Sequence, residues 1–127
     1  MSAREVLSAA VVSALERAGL KAFDAPPVRG AVPHAVVEEA RLGDWSTATW
    51  EGREGVLAVT FHDGGERPVR LRGIVEAGEA AVTAMDPAIG GGWRVVQMRL
   101  QRSRVVRKGE RWVGTSEFLV RMWRDVG

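Results

Sequence analysis

The 127 residues include no cysteine and no tyrosine. The first absence excludes disulfides, thiolate metal sites and cysteine nucleophiles, and leaves the redox compartment open. Histidine is scarce too: His34 and His62 are the whole supply. Each falls at a strand end and reads as a strand-edge histidine, because a general base or metal ligand needs convergent partners. No run of about eighteen apolar residues exists, so no transmembrane helix and no membrane partner is expected. The opening "MSAREVLSAAVV" is too short in apolar residues for a signal peptide and lacks a small-residue cleavage site. A cytoplasmic protein is expected, unless it is assembled into something exported.

Catalytic patterns are missing as well. Asp63 neighbours His62, and Glu38 neighbours Glu39, but adjacent residues of a strand point to opposite faces. "GGGW" at 90–93 lacks the lysine and Ser/Thr of a phosphate loop. Ser46 and Thr47 have no neighbour that would activate them. The sequence therefore offers no catalytic residue, no cofactor or cofactor-binding residue and no metal ligand set, and it reads as a non-enzyme.

What is present is an ordinary globular composition, 46% hydrophobic and 27% charged. The length suits one domain, 1–127, with one core. The net charge of +2 hides a split. Residues 94–124 hold nine Arg/Lys against two Glu, and the remainder holds nine against fourteen Asp/Glu. One basic element thus sits on a mildly acidic body. Five tryptophans are many for this length. Some serve the core, but tryptophan is also enriched at interface hot spots, and Trp45 or Trp50 is expected at one.

Ser2 and Glu5 fit a capping box, and apolar residues then recur at helical spacing as far as Ala18, with Gly19 as the stop. The first helix is expected over about 3–18. "KAFDAPPVRGAVP" forbids regular structure. His34–Ala40 reads as a strand, 41–54 as a polar connection, and Gly55–His62 as a second strand. Pro68 fits the first turn of a helix whose stripe is Leu71, Ile74, Val75, Gly78, Val82 and Met85. Gly78 reads as a close approach to the sheet. "DPAIGGG" ends that helix.

The remainder reads as one long hairpin. If Val96, Met98 and Leu100 share a face with Phe118, Val120 and Met122, paired numbers must add to an even total. A three-residue loop of Arg107, Lys108 and Gly109 meets that condition. It sets Met98 opposite Phe118, Val96 opposite Val120, Arg99 opposite Glu117, Arg104 opposite Trp112 and Trp93 opposite Trp123. The expected fold is α+β in the order α-β-β-α-β-β, with two helices on one face of a four-stranded, mostly antiparallel sheet and a long C-terminal hairpin.

The basic strand has three readings: a solvated edge protected from aggregation, a small nucleic-acid-binding module, or a subunit interface or channel wall. The charge split fits head-to-tail self-association through two different patches.

At "FDAPP" (23–27), "VPHAVVEEA" (32–40) and "DWST" (44–47), the chain resembles the tail-completion or tail terminator proteins of long-tailed phages and phage-derived gene transfer agents. The order and spacing of elements carry the match over nearly the whole length. Members often have an aromatic where this chain has His34. The resemblance implies an α+β homo-oligomer, a hexameric ring, at the head-proximal end of a virion or gene-transfer-agent tail. The ring would end tail-tube polymerisation, meet the tail tube protein and the head–tail connector or stopper, and touch DNA in transit without reading its sequence. It implies no catalysis. The residues expected at the interfaces or lumen are Trp45, Trp50, Arg99, Gln101, Arg102, Arg104, Arg107, Lys108, Arg111 and Trp112.

Overall fold

A computed structural model describes residues 1–126. The element order is α1 (Ala3–Arg17), β1 (Ala22–Phe23), β2 (His34–Val37), β3 (Arg41–Asp44), β4 (Trp50–Gly64), α2 (Val69–Thr83), β5 (Ala88–Gly90), β6 (Trp93–Lys108) and β7 (Arg111–Asp125). The α+β class stands. The sheet is larger than four strands and is mixed: it has seven, in the order β1-β2-β4-β7-β6-β5, with β3 also pairing β4. β1 runs parallel to β2, while the other pairings are antiparallel.

Both helices follow their sequence signals. Glu5 N–H donates to Ser2 Oγ at 3.2 Å, and the Ser2 hydroxyl donates to Glu5 Oε1 at 3.1 Å, which closes the capping box. Val6, Leu7, Val11, Ala14 and Leu15 bury the inner face of α1. α2 buries Leu71, Val75, Gly78 and Val82. Gly78 is a close-approach point: an added Cβ would sit 2.4 Å from the Phe61 ring. Both helices cover the same face of the sheet, over Leu57, Val59, Phe61, Phe118, Val120 and Met122.

β4 is longer than expected. The whole strand pairs with β7, from Trp50↔Asp125 to Gly64↔Arg111, and its first residues, 50–54, fall inside the expected polar connection, as does β3. Hydrophobic alternation does not hold these first residues. Backbone ladders to β3 and β7 do, and ion pairs cross the latter: Arg121 Nε donates to Glu54 Oε2 at 2.9 Å, and Arg124 Nε to Glu51 Oε1 at 2.8 Å. Opposite charges facing each other across strands are favourable.

The C-terminal hairpin has a different register from the expected one. Its turn is Gly109–Glu110, with Gly109 at φ +63°, and Lys108 lies opposite Arg111. Two bulges then shift the register, at Val96 and at Gln101. Each bulge places two residues against one and reverses which face the following side chains take. As a result Trp93 and Val95 are buried at the base, whereas Val96 is 51% exposed and Leu100 37% exposed. Met98 pairs with Val120 and Leu100 with Phe118. Arg99 faces Leu119, not Glu117; Arg104 faces Thr115, not Trp112; and Arg94, not Trp93, faces Trp123. A single constant parity could not describe a strand that changes phase twice.

Candidate functional site

β4, β7 and β6 run side by side for fifteen or sixteen residues, roughly 45–50 Å at a strand's usual rise. The basic turn and Trp112 lie at one end, and Trp45, Trp50, Trp93 and Trp123 lie at the other. Of the residues singled out in the sequence, Trp45 and Trp50 lie at one end, Arg104, Arg107, Lys108, Arg111 and Trp112 toward the other, and Arg99, Gln101 and Arg102 between them.

At the tryptophan end, Trp45 packs edge-on to Trp50, with centroids 5.0 Å apart, and Trp50 packs edge-on to Trp123 at 6.1 Å. Arg121 lies 5.0 Å above Trp45. The "DWST" loop fixes this geometry. Asp44 Oδ1 accepts from Ser46 N–H and its hydroxyl, and Ser46 Oγ accepts from Gly52 N–H at 3.0 Å. The Ser46 hydroxyl beside it holds the Asp44 carboxyl below its ordinary value. On the helix side of the same end, Trp93 is 3% exposed under Arg124 and Arg53.

At the basic end, Arg107 and Trp112 turn toward the helix side. Arg107 stacks on Trp112 at 5.2 Å, and the Trp112 indole donates to Gly65 O at 3.2 Å. These two residues tie the hairpin to the loop that leads into α2. Arg102 Nε lies 3.9 Å from Glu117, which Arg41 also approaches at 3.8 Å. Gln101 is the extra residue of the second bulge. Arg99 lies on the open face beside Arg121 and Glu54.

The open face, away from the helices, carries what the sequence reading missed. The register lines up His34, His62, Val113 and Val106 in one row, and Val36, Thr60, Thr115 and Arg104 in the next. The two histidines were read as isolated, but here they stack, with centroids 4.9 Å apart and planes 17° apart. His34 is nearly buried, bonded through Nδ1 to Ala31 O at 3.1 Å, and the Phe23 ring meets it edge-on. His62 Nε2 bonds Thr60 Oγ1 at 2.9 Å. Burial first, and then the charges of His34, Arg111 and Lys108, hold His62 below its ordinary value. No sequence spacing reveals this pair, because it depends on the β2–β4 register. Asp63 does face away, as strand alternation requires. It is buried on the helix side in a two-point pair with Arg70, and that pairing keeps its carboxyl below the ordinary range.

Loop 24–31 overhangs the histidine row and closes a cleft of about 1210 Å³. Arg104, Lys108 and Arg111 stand on its β6–β7 side, and Glu38 and Glu39 on its β2 side. Among the described residues, no carboxylate lies within ion-pair distance of those three cations. No grouping of three or more His, Cys, Asp or Glu among the described residues could hold a metal ion.

No curated protein is significantly similar to the chain. A chain of the "Virion of native gene transfer agent (GTA) particle" shares the fold, with a TM-score of 0.79 and 20% identity over 97% of this chain and 99% of that one. The family model for tail completion protein gp17 matches residues 3–123, almost the whole length. With an elongated sheet, a bare face and this match in hand, the chain belongs to the tail completion protein gp17 family and is a structural protein of phage-type virion tails.

Proposed function

We propose that the protein is a tail terminator that works as a ring. Copies join head to tail, six to a ring, on the head-proximal end of the tail tube. The ring ends tube polymerisation and joins the tail to the head connector, and DNA passes through its opening. The protein acts through contacts alone.

The observation that carries this reading is the unlike finish of the two sheet edges. Among the described residues, no strand lies on the outer side of β6 from Val96 to Lys108, and this stretch carries Arg99, Arg102, Arg104, Arg107 and Lys108. The opposite edge, from β2 into β3, carries exposed Glu38, Glu39 and Asp44. A long bare edge is a template for pairing with another chain. Two unlike patches that join head to tail close into a ring when the rotation allows. The fold shared with a chain of a gene transfer agent virion supports the same setting.

Native mass spectrometry of the isolated protein, and of the protein mixed with tube protein, tests the reading. A hexamer in either sample is the expected result. A monomer in both would overturn the ring. The unpaired cations of the hairpin favour one rival, a small nucleic-acid-binding module. Tight DNA binding by the monomer, with a steep fall as salt rises, would support that rival instead.

A further inference from the structure

The cleft on the open face shares Arg104, Lys108, Glu38 and Glu39 with the two sheet edges, but its histidine floor and its loop roof lie outside the edges. Its floor is the stacked pair His34 and His62 with Val113 beside them. Its roof is loop 24–31, whose tip presents fully exposed Val28. One wall carries Arg104, Lys108 and Arg111 without carboxylate partners, and the facing wall carries Glu38 and Glu39. Elsewhere on this face several charges pair within the chain, Arg121 with Glu54 and Arg102 and Arg41 with Glu117, while Arg99 has no ion pair among the described residues.

We propose that this cleft seats an extended segment of another tail or head protein, with acidic side chains along the edge that faces Arg104, Lys108 and Arg111. Carboxylates on cationic partners form the stronger class of hydrogen bond, and an extended chain places every second side chain on one side. The valines and the overhanging loop give the segment's other side chains apolar contact. The facing glutamates argue against nucleic acid here. A phosphate backbone is negative on all sides and would meet Glu38 and Glu39 as well as the cations, whereas a peptide can be acidic on one side only. The proposal does not depend on ring stoichiometry: a monomer that fills its cleft would refute the ring and leave the cleft standing.

The two histidines make the test direct, since their ring protons are the only imidazole signals in the chain. The probe is a capped heptapeptide of alternating glutamate and threonine, titrated to millimolar concentration and followed by proton NMR. Both imidazole signals should shift saturably. The same peptide with glutamine in place of glutamate should bind at least about tenfold more weakly, as should the double variant R104Q/R111Q with the acidic peptide. Unmoved histidine signals, equal shifts with the glutamine peptide, or shifts caused by a short single-stranded DNA but not by the acidic peptide would each overturn the proposal. Circular dichroism of R104Q/R111Q checks that its fold is intact. If it is not, the comparison of the two peptides on the unaltered protein still decides.

Discussion

On β7, Phe118, Val120 and Met122 are sealed beneath the helices, while Thr115, Glu117 and Leu119 alternate with them on the open side. β4 does the same, with Leu57, Val59 and Phe61 inward and Ala58, Thr60 and His62 outward. The same strands thus carry two programmes, offset by one position. The inward set makes the core. The outward set is half-covered and holds the stacked histidines and several paired charges. Stability and the proposed contacts with other chains should therefore respond to different substitutions on one backbone.

The largest expected effect comes from the inward set. Phe118→Ala should lower the unfolding free energy by about 3–5 kcal/mol in a urea titration. Leu119→Ala, next to it but outward, should cost clearly less, and equal losses would contradict the division of faces. Gly78→Ala comes next. The added methyl meets the Phe61 ring, and overpacking of this kind costs about 1–3 kcal/mol. Combining it with Phe61→Leu should recover part of that loss.

A smaller effect concerns pH. The folded protein holds His62 below its ordinary value, so folding favours the neutral ring. Stability from this source is intact above the unfolded value of about 6.5. It declines as pH falls below that value, because the unfolded chain then binds the extra proton first. Melting temperatures measured from pH 8 to pH 5 should show the decline, and His62→Gln should flatten it. Asp63 adds a lower window of the same sign: its depressed carboxyl supports the fold above the ordinary aspartate value, and that support is lost as pH falls through the folded one. The smallest expected effect is that of R104Q/R111Q on melting temperature, which should be negligible because both side chains are exposed. A large drop would mean that these cations support the fold.

The helices were legible because their signals are local: a capping box, a periodic stripe and a small residue where a ring approaches. The inner half of β4 was legible from its alternation. Residues 50–54 were not, since Arg121 and Arg124, the partners of Glu54 and Glu51, lie about seventy positions along the chain and no local pattern marks this polar stretch as a strand. β1 and β5, two and three residues long, are too short to show a period. The hairpin was recognisable, but its register was not, because the parity argument assumed an unbroken ladder. At the candidate site the same limit applied. Arg104, Lys108 and Arg111 were visible as basic residues, but the His34–His62 pair required the register of two strands separated by a loop and a third strand.

The two bulges of β6 bear on how this chain can vary. A strand in unbroken step cannot gain or lose one residue without turning every later side chain over. β6 already holds a spare residue at Val96 and another at Gln101, with β7 continuous beside both. Deleting either one straightens the strand locally and leaves the pairs on both sides in place. The hairpin can therefore be shortened by single-codon changes at these two points while its turn, its tryptophan anchor and its core contacts keep their partners.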